Sequence, residues 1–66
     1  MQSGVVKWFD PTKGYGFIAG DNGVDVFVHQ SNVLMQGYRV LNTGQRVRYK
    51  VESTEKGNSA VNVTME

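Results

Sequence analysis

The sequence predicts an all-β protein, a small closed or nearly closed barrel of five short strands. Three observations carry this reading. Separate stretches alternate apolar and polar residues with a period of two, turn-forming residues punctuate them, and no stretch has convincing helical periodicity. Closure also removes the exposed edges that an open sheet of this size would present.

The first strand spans Gly4 to Asp10 and stops at Pro11, which has no N–H for a central ladder. Tyr15 to Ala19 forms the second. Gly20-Asp21-Asn22-Gly23 contains Asn-Gly, a strong hairpin signal, and leads into the third strand, Asp25 to His29. The fourth, Gln45 to Glu52, alternates strictly, with Arg46, Arg48 and Lys50 on a wet face and Val47, Tyr49 and Val51 on a buried one. Glu55-Lys56-Gly57-Asn58 is the next turn, and Ser59 to Met65 the last strand. The connection from Gln30 to Gly44 has no clear period; Ser31 is expected to cap a short helical turn through Val33-Leu34. A connection this long without regular structure is usually functional.

At 66 residues the chain fits one domain, 1–66. A domain of this size buries about 60% of its unfolded surface, so marginal stability is expected. There is no cysteine for a disulfide or a thiolate zinc site, and a single histidine cannot build a metal centre, so no metal and no cofactor is expected. Met1 to Lys7 does not resemble a signal peptide, and no apolar run approaches the ~20 residues of a membrane helix. The expectation is a soluble, cytoplasmic protein. Seven Lys/Arg against six Asp/Glu give a formal charge of +1, so any electrostatic argument rests on where the charges fall.

The informative region is Lys13 to His29. Residues two apart in a strand share a face, so Tyr15 and Phe17 point one way, and Phe27 and His29 share a face of the neighbouring strand. The opposite face offers Ile18, Val26 and Val28. A small barrel has one interior, and the aliphatic face is the natural choice for it. Aromatics in strands are most often plain core, but here that would turn Ile18, Val26 and Val28 to solvent. Lys13 and Asp25 also lie on the aromatic face, which suits a wet surface. An exposed patch of rings marks a binding site. Every nucleobase has a π-face, and stacking one on an aromatic side chain is worth ~1–3 kcal/mol. Single strands are the target, because duplex bases already stack on one another. Lys7 and Lys13 lie beside this region for phosphates, and Gly14 and Gly16 permit close approach.

These residues resemble the cold-shock domain family. Lys13-Gly14-Tyr15-Gly16-Phe17-Ile18 is similar to the family's first ribonucleoprotein motif, and Val26-Phe27-Val28-His29 to its second. Gly4 to Phe9, Gly37-Tyr38, Leu41, Gly44-Gln45 and Ala60 to Thr64 extend the similarity over nearly the whole chain. The resemblance implies a five-stranded antiparallel barrel of the oligonucleotide-binding (OB) type. It implies low-specificity binding of single-stranded RNA and DNA and an RNA-chaperone role, often as temperature drops. The matching binding positions are Lys7, Trp8, Lys13, Tyr15, Phe17, Phe27, His29 and Tyr38, with Phe9, Asp25 and Lys56 in addition. Exposure of Trp8 follows from the resemblance: strict alternation puts it with Val6 in the core, and only a bulge or a rim position reconciles the two. The chain departs from the family pattern in three places. Tyr15 replaces a commoner Phe, and Asp10 stands where Asn is usual. Gln30 replaces an aromatic, so that His29-Gln30-Ser31 is similar to the Y-box proteins of animals; an amide at Gln30 is expected to hydrogen-bond a base edge where a stacking platform is lost.

Other signals point elsewhere. Gly14 to Ala19 fits the dinucleotide fingerprint, which needs a following helix, whereas a strand is predicted here. Asn62-Val63-Thr64 fits a glycosylation acceptor but lies in a predicted strand. His29 suits acid–base work near neutral pH but has no identifiable nucleophile beside it, so no enzyme is expected. Arg46, Arg48 and Lys50 are either a solvated face or a second phosphate track. Leu34, Met35 and Tyr38 either cover the barrel end or, in the case of Tyr38, add a stacking platform. The rival function is a peptide-binding barrel with an aromatic groove of the SH3 kind. A monomer with no membrane and no small-molecule substrate is the default.

Overall fold

Three strands form an antiparallel meander: β1 (Gln2–Asp10), β2 (Tyr15–Gly20) and β3 (Asp25–His29). Two more, β4 (Arg46–Thr54) and β5 (Gly57–Met65), form a hairpin. β4 pairs antiparallel with β1, and β5 pairs parallel with β3, so the sheet closes in the order β1-β2-β3-β5-β4. The computed structural model describes residues 1–34 and 40–66. The all-β barrel expected from the sequence is thus observed. Four of its seams are antiparallel, while the fifth is a short parallel seam joining Phe27 to Ser59 and Val28 to Ala60.

β1 and the β4–β5 hairpin are longer than alternation alone indicates. Gln2 and Ser3 pair with Tyr49 and Arg48, and Thr54 pairs with Gly57, so the turn shrinks to Glu55-Lys56. Thr54 Oγ1 ties this turn by donating to Gly57 O at 2.6 Å and accepting from Lys56 N at 3.3 Å. Between β2 and β3, Gly23 takes φ +87° and its N–H donates to Gly20 O, a conformation that glycine adopts without steric cost.

Two irregularities decide which side chains face inward. In β1 the register jumps from Val6↔Ile18 to Trp8↔Phe17, which leaves Lys7 as an extra residue. Val6 stays inside, Trp8 turns outward, and Phe9 packs half-buried against the core. This is the bulge that reconciles Val6 with an exposed Trp8. In β5 the register jumps between Val61 and Thr64, with Asn62 at φ +54°, a left-handed conformation in which asparagine is enriched. Ala60 and Val63, three apart, are therefore both fully buried.

The core is Val6, Ile18, Val26, Val28, Val33, Leu41, Val47, Tyr49, Ala60 and Val63. Ile18, Val26 and Val28 face inward, as the hairpin pattern predicts. Val51 does not, and is 42% exposed. Pairing with β1 ends at Gln2↔Tyr49, and Val51 lies beyond it. The expected helical turn also shifts. A 3₁₀ turn occupies Gln30–Asn32 with His29, not Ser31, as its cap, and Val33 then enters the core and bridges to Val63. Leu34 remains exposed rather than covering the barrel end, and Met35 and Tyr38 lie outside the described residues.

Two stability outcomes follow. A Cβ on Gly16 would lie 2.7 Å from Phe9 Cα and closer still to Trp8 O, both backbone. Gly16→Ala should therefore destabilise the fold by about 1–3 kcal/mol in urea unfolding, as overpacking does. Tyr49, 1% exposed, has its phenol pushed up in pKa by burial and further by the Asp21 charge. The fold favours the neutral phenol, so this contribution is present below the ordinary value near ~10 and is lost as pH rises through the higher folded value. Between about pH 9 and 12, wild type should lose more stability than Tyr49→Phe in parallel urea titrations.

Candidate nucleic-acid interface

The outer surface of β1, β2 and β3 carries four aromatic rings. The cross-strand pairs Trp8↔Phe17 and Phe17↔Phe27 form one row, and Tyr15↔His29 lies in the next. Ring centroids are separated by 6.0 Å for Trp8–Tyr15, 5.6 Å for Trp8–Phe17, 5.6 Å for Tyr15–Phe27 and 5.8 Å for Phe17–Phe27. The four rings therefore close a circuit. Their interplanar angles run from 33° to 80°, so none is stacked flat on a neighbour. Such tilted contacts are worth about 0.5–1.5 kcal/mol each beyond burial, which holds the rings in place while leaving π-face open. Tyr15, Phe17 and Phe27 are half-buried, and Trp8 is 41% exposed. The rings are outside the barrel, as the aliphatic occupancy of its interior demands.

His29 pairs with Tyr15 and caps the 3₁₀ turn: its Nδ1 accepts from Ser31 N at 3.1 Å and lies 2.9 Å from Ser31 Oγ. The Nδ1 lone pair thus faces Ser31 N, with Ser31 Oγ beside it. Gln30 follows, exposed, with its backbone N–H donating to Gly14 O at 2.8 Å.

The cations are not equivalent. Lys7, carried outward by the bulge, pairs with Asp25 at 2.9 Å, both half-exposed. Lys13 is exposed and has no ion pair among the described residues. Its backbone N–H and that of Thr12 donate to Asp10 Oδ1 at 3.2 and 2.9 Å, so Asp10 shapes the turn that presents Lys13. Of the β4 stripe, Arg46 is engaged by Asp21 at 2.8 Å and Glu66 at 3.5 Å, and its guanidinium holds the Asp21 carboxyl below the usual range. Arg48 and Lys50 have no ion pair among the described residues. Tyr38 lies outside them.

A cleft of about 580 Å³ continues the ring surface, lined by Phe17, Asp25, Phe27, Thr54, Lys56, Gly57, Asn58 and Ser59. It brings Lys56 beside the rings, and adds Thr54, Asn58 and Ser59, which sequence reasoning missed. Their place depends on the parallel Phe27↔Ser59 pairing, for which no local pattern gives a signal. No cluster of three metal-ligating side chains occurs among the described residues.

Residues 2–66 match the family described as the 'Cold-shock' DNA-binding domain. The chain belongs to the cold-shock domain family. It is 52% identical over 65 residues to cold shock protein ScoF of Streptomyces coelicolor, covering 97% of each chain. It is 49% identical over 63 residues to cold shock protein 1 of Lactiplantibacillus plantarum, covering 96% of each. A major cold shock protein of Streptococcus pyogenes is 47% identical over 64 residues, with 97% of this chain and 96% of that one covered. Among solved structures, drosophila Unr CSD456 shares the fold, with TM-score 0.79 at 20% identity over 98% of this chain and 26% of that one. Cold-shock domain proteins bind nucleic acid and are not enzymes, and this chain is a nucleic-acid-binding protein of that kind. Among the described residues, no helix is long and apolar enough to cross a membrane.

The Lys7–Asp25 pair should make a measurable difference to the salt dependence of binding. Asp25→Asn releases Lys7 and should steepen the slope of log K against log salt for single strands by up to about 0.7. Adding Lys7→Gln should remove that gain. A slope that Lys7→Gln leaves unchanged in the Asp25→Asn background would show that Lys7 does not meet phosphate.

Proposed function

We propose that this cold-shock domain binds single-stranded RNA and DNA with low sequence specificity and acts as an RNA chaperone. Bases stack on Trp8, Tyr15, Phe17, Phe27 and His29, and on Tyr38 in the segment beyond the described residues. Lys13 and Lys56 meet phosphates directly; Lys7 does so by exchanging its Asp25 partner for a phosphate. Asp25 and the cleft residues beside Phe27 flank the path of the strand. The observation that carries this reading is the closed circuit of four rings on the outer surface of β1, β2 and β3. Stacking reads a π-face that every base possesses, so it gives affinity with little selectivity.

The mechanism is competition: a base held on a ring cannot pair with another base. Weak, rapidly exchanging contacts then keep a transcript open while a ribosome or polymerase can still displace the protein. The domain, residues 1–66, works as a cytoplasmic monomer in cold-shock adaptation and in regulation of transcription or translation, in keeping with the names of its relatives.

Trp8 fluorescence tests the reading. Oligothymidine should quench it, while the duplex form of one sequence quenches less than its single strand. Quenching by a proline-rich peptide alone would overturn it in favour of a peptide-binding barrel. Phe17→Ala and Phe27→Ala should each weaken single-strand binding about 5- to 150-fold, the range that one stacking platform is worth. Circular dichroism should show both variants still folded.

A further inference from the structure

We propose that Gln30 reads the hydrogen-bonding edge of one base, so that a bound strand is gripped by edge at one position and by π-face at the others. The inference rests on the stacking interface and adds a contact of different chemistry to it. Gly14 takes φ +80°, and a Cβ there would lie 2.9 Å from Gln30 Cδ and 3.0 Å from Gln30 Nε2. The amide thus lies in the space over Gly14 that any other residue would fill. The same two residues are tied through the backbone, because Gln30 N donates to Gly14 O at 2.8 Å, and Gln30 O accepts from Val33 N at 3.1 Å. The base of the side chain is therefore fixed, and its amide rests on a shelf of backbone.

That amide is exposed and has no hydrogen-bond partner among the described residues. It also borders the ring surface. Gly14 precedes Tyr15 and Gln30 follows His29, and Tyr15 and His29 are register partners on the ring face. An unpaired donor and acceptor in one plane therefore sit beside two stacking platforms.

A primary amide offers one acceptor and two N–H donors. The Watson–Crick edge of thymine or uracil presents N3–H next to a carbonyl oxygen, which the amide meets with two hydrogen bonds at once. Adenine, cytosine and guanine also set a donor beside an acceptor on that edge, and a half-turn of the amide suits the reversed order. The requirement is therefore an open edge rather than a particular base. An aromatic side chain at this position would take the π-face and ignore the edge. In a duplex that edge is already paired, so Gln30 adds discrimination against paired strands.

The test uses hexathymidylate and a hexamer of N3-methylthymidine, which keeps every ring and blocks every edge. Wild type should bind the unmodified strand about tenfold more tightly than Gln30→Ala, the scale of one good bidentate contact. The two proteins should bind the methylated strand equally. The same wild-type advantage on both strands, or no advantage on the unmodified one, would overturn the proposal. The Gln30 side-chain amide signals should also shift in the ¹H–¹⁵N spectrum on saturation with hexathymidylate; signals that stay at their free positions would overturn it independently. If hexathymidylate fails to quench Trp8 in either protein, the stacking interface itself is wrong and the edge contact falls with it.

Discussion

The interior of a five-stranded barrel has room for little more than one layer of side chains, and aliphatic residues fill it. Six valines, Ile18, Leu41 and Ala60 pack around Tyr49, and among the described residues no other aromatic side chain is fully buried in this core, Phe9 packing half-buried against it. Protein interiors are close-packed, so a second ring inside would displace several of these residues. Trp8, Tyr15, Phe17 and Phe27 are accordingly outside, where they hold one another by tilted contacts and remain open to a ligand. An outward patch of aromatic rings is in this sense a by-product of filling the core with valine.

Only one of those four rings needs a special device. Tyr15, Phe17 and Phe27 reach the surface by plain alternation, whereas Trp8 shares parity with buried Val6. The unpaired Lys7 between them reverses the parity of everything that follows in β1. The same residue sends its ammonium outward to Asp25 at the start of β3. One inserted residue thus places an outward ring and a cation together, with the Asp25 carboxylate engaging the cation.

Local pattern made the central hairpin legible. The faces Ile18–Val26–Val28 and Tyr15–Phe17–Phe27 follow from a period of two and one turn, which fix their relation within a short span of sequence. What the sequence did not disclose depends on partners distant along the chain. Val51 has the parity of a core residue, but β1 ends before it reaches that position. Thr54, Asn58 and Ser59 join the site because β5 runs parallel to β3, and Arg46 leaves the basic stripe because Asp21 and Glu66 meet it there. The turn lies at Gln30–Asn32 rather than after Ser31 because its cap is a histidine ring nitrogen rather than the serine hydroxyl that usually fills that role.

The parallel seam between β3 and β5 is the narrowest joint in the barrel, two residue pairs long, and one of them is Phe27↔Ser59. Both of those residues also line the cleft beside the rings. A ligand lying there would touch the two sides of the joint at once. Any ligand that binds there and not to the unfolded chain therefore adds its binding free energy to the stability of the fold that binds it.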